Sequence, residues 1–286
     1  MPKLKWGAGL LGVALAAALV PPIYERFFGR PRLRFTYFTG QLAETKYREL
    51  SSKPGWSASK LDVGGDVGEQ ITLRGLLRRP TSPGAPWVIY YSGNDAHMLE
   101  TGQAFLSRLA GDRPWGLALY AYRGFDSSGG EAEQAAIALD APLIVKRLCD
   151  SERVSSEQVH LVGFSIGGHF AVHAARGAAF AGKRVATLSL LAAVDDIVMT
   201  RGSAWAKLTS GDDYQTRPLL ATLPPPVLVV QGTADEALGG PEQGRAIAKA
   251  LGGRGTYHEL PGIGHSALLE NETALSLVRE QIERGK

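Results

Sequence analysis

A Gly-Phe-Ser-Ile-Gly sequence at residues 163–167 constrains the fold of this chain more than any other feature. It follows an apolar run that starts at Val159, and it precedes an Ala-rich, helix-like segment, 168–179. A Gly-x-Ser-x-Gly between strand and helix is typical of a nucleophile elbow, a turn so tight that its flanking positions need small residues. The turn lifts the central hydroxyl above the sheet edge and directs the helix N-terminus toward it. Ser165 is therefore the candidate nucleophile, and the simpler interpretation is a helix-capping serine.

Two later turns carry the other residues that such a serine needs. A buried strand is predicted at 227–231, and it leads into a Gly-Thr-Ala-Asp turn that ends at Asp235. A strand-like stretch, 256–260, leads into a Gly-Ile-Gly-His turn that ends at His265. Because each residue follows a candidate parallel strand, the three side chains are expected to meet at one edge of the sheet. Ser165, Asp235 and His265 are thus the predicted nucleophile, acid and base.

Other residues compete for the acid and base roles. Glu236 is adjacent to the predicted acid, and Asp195 and Asp196 follow the preceding predicted strand. We favour Asp235 because of its position within the turn. Among the other histidines, His97 is the alternative candidate for the base, because it lies near the Ser-Gly-Asn turn at 92–94.

Composition argues against several classes of protein. The chain has 286 residues and 44% apolar content, which suffices for one large core. Its formal net charge is only +3 and its basic residues are mostly scattered, so we expect no nucleic-acid partner. The single cysteine, Cys149, excludes an internal disulfide framework and is expected to be structural. His169 and His173 have a metal-site spacing but no Glu between them, so we expect structural roles, no metal and no organic cofactor.

The N-terminal segment, residues 1–30, differs from the rest of the chain. Residues 6–23 form an uncharged run of 18 residues that is rich in Leu, Ala and Val. A helix of that length spans roughly 27 Å, close to the ~30 Å hydrocarbon core of a bilayer, although Pro21 and Pro22 favour an earlier end. We expect an uncleaved single-helix membrane anchor, with a cleaved signal peptide and a secreted or periplasmic protein as the alternative. Basic residues lie on both sides of the run, so the side of the membrane stays open.

Strand and helix signals alternate from residue 86 to the C-terminus. Such alternation predicts an α/β fold with a mostly parallel sheet, right-handed crossovers and helices on both faces. An irregular segment, 195–223, exceeds the usual loop length and is predicted to be a short cap over the site. Trp205 and Leu208 within it are candidate walls of a substrate pocket, or else they pack the segment onto the core. The remaining chain, 31–286, is predicted to be one domain that includes this cap.

From about residue 60 onward, the chain resembles the α/β-hydrolase superfamily, and most of all its membrane-anchored serine hydrolases and their bacterial relatives. The resemblance is carried by the Ser-Gly-Asn turn at 92–94, the Tyr-Arg-Gly-Phe-Asp-Ser-Ser-Gly-Gly sequence at 122–130, the elbow with its extra glycine at 163–168, and the turns ending at Asp235 and His265. Two residues depart from the pattern. Ser92 stands where those relatives carry His, and Asp126 replaces a Gly, which is expected to add a carboxylate near the mouth of the site.

The resemblance implies a serine hydrolase with an oxyanion hole. Its expected donors are the backbone N–H groups of Ile166 and Asn94, so replacing the Asn94 side chain is expected to cost little. The expected reaction is transfer of an acyl group from a small-molecule or lipid ester, or a thioester, to water through an acyl-enzyme. The alternatives are a serine peptidase or amidase with the same triad, and a catalytically silent binding protein. The oligomeric state stays open.

Overall fold

The computed structural model describes a large part of the chain: residues 36–65, 70–196, 214–223 and 226–285. The predicted anchor and most of the predicted cap, with Trp205 and Leu208, lie outside these residues. What was expected of them stays a prediction. In the described ranges, no helix is both long and apolar enough to cross a membrane.

One eight-stranded sheet organises the domain. Its strands are β1 (Trp56–Gly64), β2 (Gln70–Arg78), β3 (Trp87–Tyr91), β4 (Gly116–Tyr120), β5 (Val159–Phe164), β6 (Thr187–Leu191), β7 (Val227–Gly232) and β8 (Gly255–Leu260). Their order across the sheet is β1-β2-β4-β3-β5-β6-β7-β8. Strand β2 is antiparallel to β1 and β4, and the other pairs are parallel. The predicted fold class, an α/β fold with a mostly parallel sheet, is confirmed.

The described helices connect and cover these strands. They are α1 (Glu44–Ser51), α2 (Met98–Ala110), α3 (Gln134–Glu152), α4 (Ile166–Phe180), α5 (Arg217–Leu220), α6 (Glu242–Leu251) and α7 (Glu272–Arg284). The β3–α2–β4 connection runs one way along the sheet and β5–α4–β6 runs the other way. Right-handed crossovers therefore place α2 and α4 on opposite faces. Helix α7 packs beside α2, and α3 packs beside α4.

The inner strands are covered on both faces. Every residue of β3, β4, β5, β6 and β7 is buried, which explains why these strands read as continuous apolar runs. The edge strands β1 and β8 instead mix buried and exposed positions. Since β5, β7 and β8 run parallel within one sheet, the loops after them open at the same edge, and these loops carry the three predicted site residues.

Candidate active site

Ser165 lies at the apex of a very tight turn between β5 and α4. Its φ is 55°, a left-handed conformation that residues other than glycine rarely adopt. Its N–H donates to the Leu191 carbonyl at 3.0 Å, and its own carbonyl accepts from the Gly168 N–H at 3.0 Å. A Cβ at Gly167 would lie 2.1 Å from the Tyr91 carbonyl oxygen, so this position needs glycine. The surrounding chain thus fixes the serine in a strained backbone conformation, as at many functional sites.

Asp235 and His265 form a buried hydrogen-bonded pair. The His265 Nδ1 lies 2.8 Å from the Asp235 Oδ2, and both residues are buried. The other carboxylate oxygen, Oδ1, accepts from the Leu238 N–H at 2.9 Å. The Gln231 side chain donates to Oδ2 at 2.7 Å. With Nδ1–H directed at a carboxylate, Nε2 is the ring nitrogen that can accept a proton.

The His265 ring lies beside the elbow. Its centroid is 4.8 Å from that of Phe164, the residue directly before Ser165. Ser165 and His265 line the same cleft. Among the described residues, no hydrogen bond joins the Ser165 hydroxyl to the His265 ring. Such bonds are often long in enzymes without substrate and tighten only when substrate binds.

Of the competing acids, Asp195 has an arginine as its partner. Asp195 is buried and forms an ion pair with the Arg217 guanidinium, and it also accepts from the Arg217 N–H at 2.9 Å. The N–H of Asp196 donates to the side chain of Gln243 at 3.3 Å. Glu236 approaches the backbone N–H of His265 at 3.5 Å and not its ring nitrogen. The structure therefore pairs the His265 ring with Asp235, while Asp195 pairs with an arginine.

The two expected oxyanion donors lie on opposite sides of the serine. Ile166 is the first residue of α4, where the helix supplies no partner for a backbone N–H. Asn94 follows Gly93, whose added Cβ would lie 3.3 Å from the Ser165 Cβ. Both Ile166 and Asn94 line the cleft. The turn before α2 and the elbow are thus packed directly against each other.

The side chain of Asn94 makes two hydrogen bonds that sequence reasoning missed. Its Oδ1 accepts from the Phe38 N–H at 2.8 Å, and its Nδ2 donates to the Thr36 carbonyl at 2.9 Å. With the side chain engaged, the backbone N–H is the group of Asn94 that can serve an oxyanion. In the same turn, Ser92 is buried and its carbonyl accepts from the Tyr122 hydroxyl at 2.8 Å.

The chain matches no model of a known protein family. Solved structures resemble it over most of its length. An α/β-hydrolase from Vibrio vulnificus superposes with a TM-score of 0.69 at 19% identity, over 94% of each chain. An esterase from Pyrococcus furiosus gives a TM-score of 0.64 at 16% identity, over 87% of this chain and 99% of that one. A thermostable carboxylesterase cloned from a metagenomic library gives 0.61 at 22% identity, over 85% and 94%. The chain has the α/β-hydrolase fold.

The cleft of this α/β-hydrolase fold has a volume of about 770 Å³. Its lining includes the apolar side chains of Tyr90, Phe105, Phe164, Leu238 and Leu269. Phe38 also lines the cleft, and 58% of its surface is exposed. The cleft therefore offers an apolar wall beside the serine and an exposed aromatic ring in contact with solvent.

His169 is packed into the interior of the fold, and His173 is half-buried beside it, with ring centroids 4.7 Å apart. The His169 ring is buried, and its two nitrogens lie 3.0 Å from the Thr216 hydroxyl and 3.0 Å from the Gln134 amide nitrogen. Burial lowers the pKa of His169 to about 3 and that of His173 to about 4, so both rings are neutral at neutral pH. The described residues contain no group of three potential metal ligands. The contacts of His169 tie α4 to α3 and to the segment before α5.

The expectation that Asp126 lies near the mouth of the site is wrong. Asp126 is 1% exposed, and its Oδ2 accepts from the Leu99 N–H at 2.6 Å in the first turn of α2. Its φ of 45° explains why a glycine suits this position in relatives. Within the described part of the chain, its Oδ1 has no hydrogen-bond partner. Burial raises the pKa of Asp126 to about 6.

This shift predicts a pH-dependent change in stability. The pKa of Asp126 in the folded state lies above the ordinary value of 3.8. The stabilisation of the folded state by the protonated carboxyl is therefore complete below pH 3.8 and is lost as the pH rises through about 6. Asp126→Asn cannot ionise and tolerates the positive φ. As the pH rises from 4 to 7, the free energy of unfolding of Asp126→Asn should therefore increase relative to that of the wild type, as measured by urea denaturation.

Asp150→Asn is the matched control. The Lys146 ammonium holds the pKa of the exposed Asp150 carboxyl below its ordinary value. Any pH dependence of stability that Asp150 contributes therefore has the opposite sign to that of Asp126. A difference between wild type and Asp126→Asn that stays constant from pH 4 to 7 would contradict the assignment.

Proposed function

We propose that this protein is a serine hydrolase that cleaves a carboxylic ester or thioester through an acyl-enzyme. The observation that carries the proposal is the buried Asp235–His265 hydrogen bond in the cleft that also holds Ser165. A serine hydroxyl is a weak nucleophile until a base removes its proton, and an oriented imidazole is the base that this site offers.

In acylation, the Ser165 Oγ attacks the substrate carbonyl carbon while its proton passes to Nε2 of His265. The Asp235 carboxylate fixes the tautomer of the ring and stabilises the imidazolium that forms. The tetrahedral intermediate then collapses, and the proton on Nε2 passes to the leaving alkoxide or thiolate. In deacylation, water replaces the serine as the nucleophile, His265 again takes its proton, and the Ser165 hydroxyl is restored.

The developing oxyanion is stabilised by two backbone N–H groups, those of Ile166 and Asn94. The Ile166 donor belongs to the N-terminus of α4, which carries a partial positive charge. Donors held in place before the reaction require little reorganisation in the transition state, which makes them effective.

The substrate class is proposed from the cleft and from the fold. Solved structures that share the fold include proteins named as esterases and a carboxylesterase. The apolar cleft suits an acyl chain, and a lipid-derived chain is the natural substrate if residues 6–23 anchor the protein to a bilayer. We retain that anchor as part of the proposal. Extraction of cell membranes with alkaline carbonate tests it, because an anchored chain stays in the pellet.

A fluorophosphonate probe and a panel of substrates test the central proposal. The wild-type protein should be labelled, which a silent binding protein would not be, and should hydrolyse acyl esters or thioesters. Ser165→Ala should lose labelling and about 10⁶-fold in kcat, and His265→Ala should lose a similar factor in kcat. Because the residues act as a unit, the double variant should be no slower than either single variant.

Ser151→Ala is the control for the serine variant. Ser151 is exposed on α3, and its hydroxyl contacts only its own helix at the Leu148 carbonyl, so kcat should not change. Turnover at the wild-type rate in purified Ser165→Ala would refute the assignment of the nucleophile. Cleavage of aminoacyl anilides in preference to esters would indicate the peptidase or amidase instead.

The acid can be tested by comparing two buried aspartates. Asp235→Asn should lower kcat about 10⁴-fold with little loss of stability, because the imidazole tautomer is no longer fixed. Asp195→Asn should instead lower the melting temperature, since it breaks the ion pair with Arg217, and should have much less effect on kcat. The reverse pattern would identify Asp195 as the acid.

A further inference from the structure

We propose that residues 36–42, here called the strap, hold the Asn94 N–H in position for the oxyanion, with the Asn94 side chain as a positioning residue. The proposal rests on the proposed function. The strap precedes α1 and has no regular secondary structure. It makes specific contacts with three other parts of the chain, one of which is the Asn94 turn.

The strap and the turn before α2 are joined by hydrogen bonds and by close packing. The Asn94 amide bonds both the N–H of Phe38 and the carbonyl of Thr36, in the way that a neighbouring strand would. Two residues later in each segment, a Cβ added to Gly40 would lie 1.8 Å from the Ala96 carbonyl oxygen. The strap therefore contacts the turn through the side chain of Asn94 and, at Gly40 and Ala96, through a close approach of the two backbones.

The strap is itself held at both ends. The hydroxyl of Tyr37 lies 2.7 Å from that of Tyr214, which is fully buried, and its ring packs edge-on against Phe125 at 6.0 Å. At the other end, the Ser127 hydroxyl lies 3.1 Å from both the N–H and the carbonyl of Leu42. These contacts tie the strap to the interior on either side of the Asn94 hydrogen bonds.

Beyond Gly93, which packs against the elbow, the Asn94 turn has little support from the core. Residues 94–96 are only half-buried, in contrast to β3 before them and the start of α2 after them. A catalytic donor must be held within about 0.5 Å of its productive position. The side-chain amide and the backbone N–H belong to one residue, so a hydrogen-bonded amide restricts rotation of the Asn94 backbone. On this proposal the Asn94 side chain contributes to catalysis, in contrast to the expectation from sequence that its replacement costs little.

Full-length variants can test this by steady-state kinetics on an acyl ester and by inhibition with a trifluoromethyl ketone. The ketone forms a tetrahedral adduct: its carbon bonds to the Ser165 Oγ, the serine proton moves to His265, and the carbonyl electron pair becomes the oxyanion. Asn94→Ala removes both strap hydrogen bonds and keeps the backbone N–H. Phe38→Pro removes the donor of one of these bonds from the other side, without altering Asn94. Phe38→Ala keeps that N–H and serves as the baseline for loss of the ring.

We expect Asn94→Ala to lower kcat by about 10- to 100-fold, at or below the loss of one oxyanion donor, with little change in KM. The inhibition constant for the ketone should rise by a similar factor. The kcat of Phe38→Pro should be well below that of Phe38→Ala. The double variant, Asn94→Ala with Phe38→Pro, should be no slower than Asn94→Ala with Phe38→Ala, because proline and alanine at position 38 then differ only in a contact that Asn94→Ala has already broken.

Tyr37→Phe is the second, milder way to loosen the strap, in case the proline prevents folding. It should lower kcat in the wild-type background and have no further effect in the Asn94→Ala background.

Wild-type kcat and ketone affinity in a folded Asn94→Ala protein would overturn the proposal, as would additive losses in the double variant. Fluorophosphonate labelling of Ser165 separates the two hypotheses. A labelled, active wild type with an unaffected Asn94→Ala overturns the strap alone, whereas an unlabelled, inactive wild type overturns both.

Discussion

The close approach of the elbow to the end of β3 is the contact on which the rest of the site depends. Gly167 lies against the carbonyls of Tyr91 and Ser92, and Gly93 lies against the Phe164 ring and the Ser165 Cβ. A side chain at either glycine would push the nucleophile away from the turn that carries Asn94. Because protein interiors are close-packed and relax only partly, the serine and this turn behave as one unit. The left-handed conformation of Ser165 is maintained by the same packing.

The sequence predicted the elements whose signals are local. Helix α6, within the stretch where strand and helix signals were predicted to alternate, has such local signals: a proline precedes the helix and a glycine with φ of 57° follows it. The order of Ser165, Asp235 and His265 after their strands also followed from local patterns. The sequence reading missed α1 and β1: β1 is an edge strand rich in polar residues, and α1 is short and polar. Gln231 was missed as well, although a glutamine in an otherwise apolar, fully buried strand is a signal that it has a buried partner.

Buried carboxylates in this domain differ in function because they differ in partner. Asp140 forms two hydrogen bonds with the Arg123 guanidinium, at 2.5 and 2.7 Å, and such a bidentate pair fixes geometry. Asp126 supports the first turn of a helix, and the wrong prediction for it arose because that contact joins residues 27 positions apart. Asp235 alone among these is hydrogen-bonded to a histidine ring, the kind of group that can act as a general base. Sequence can locate the acids, but only the tertiary contacts assign their roles.

The strap connects the proposed anchor to the chemistry. The described chain begins at Thr36, whose carbonyl accepts a hydrogen bond from the Asn94 side chain, so the strap lies beside the cleft from its first residue. No motif marks residues 36–42, and the family resemblance in sequence starts only near residue 60, so this contact was outside the reach of motif reasoning. If residues 6–23 lie in a bilayer, few residues separate the membrane from the oxyanion turn. An extended chain spans roughly 3.3–3.6 Å per residue at most. The segment between residues 23 and 36 would then keep the cleft and the exposed Phe38 ring within tens of ångströms of the lipid surface. On the proposed anchor, an ester carried by a lipid would have only a short path to Ser165, and the strap that follows the anchor in sequence would also brace the turn that stabilises the oxyanion.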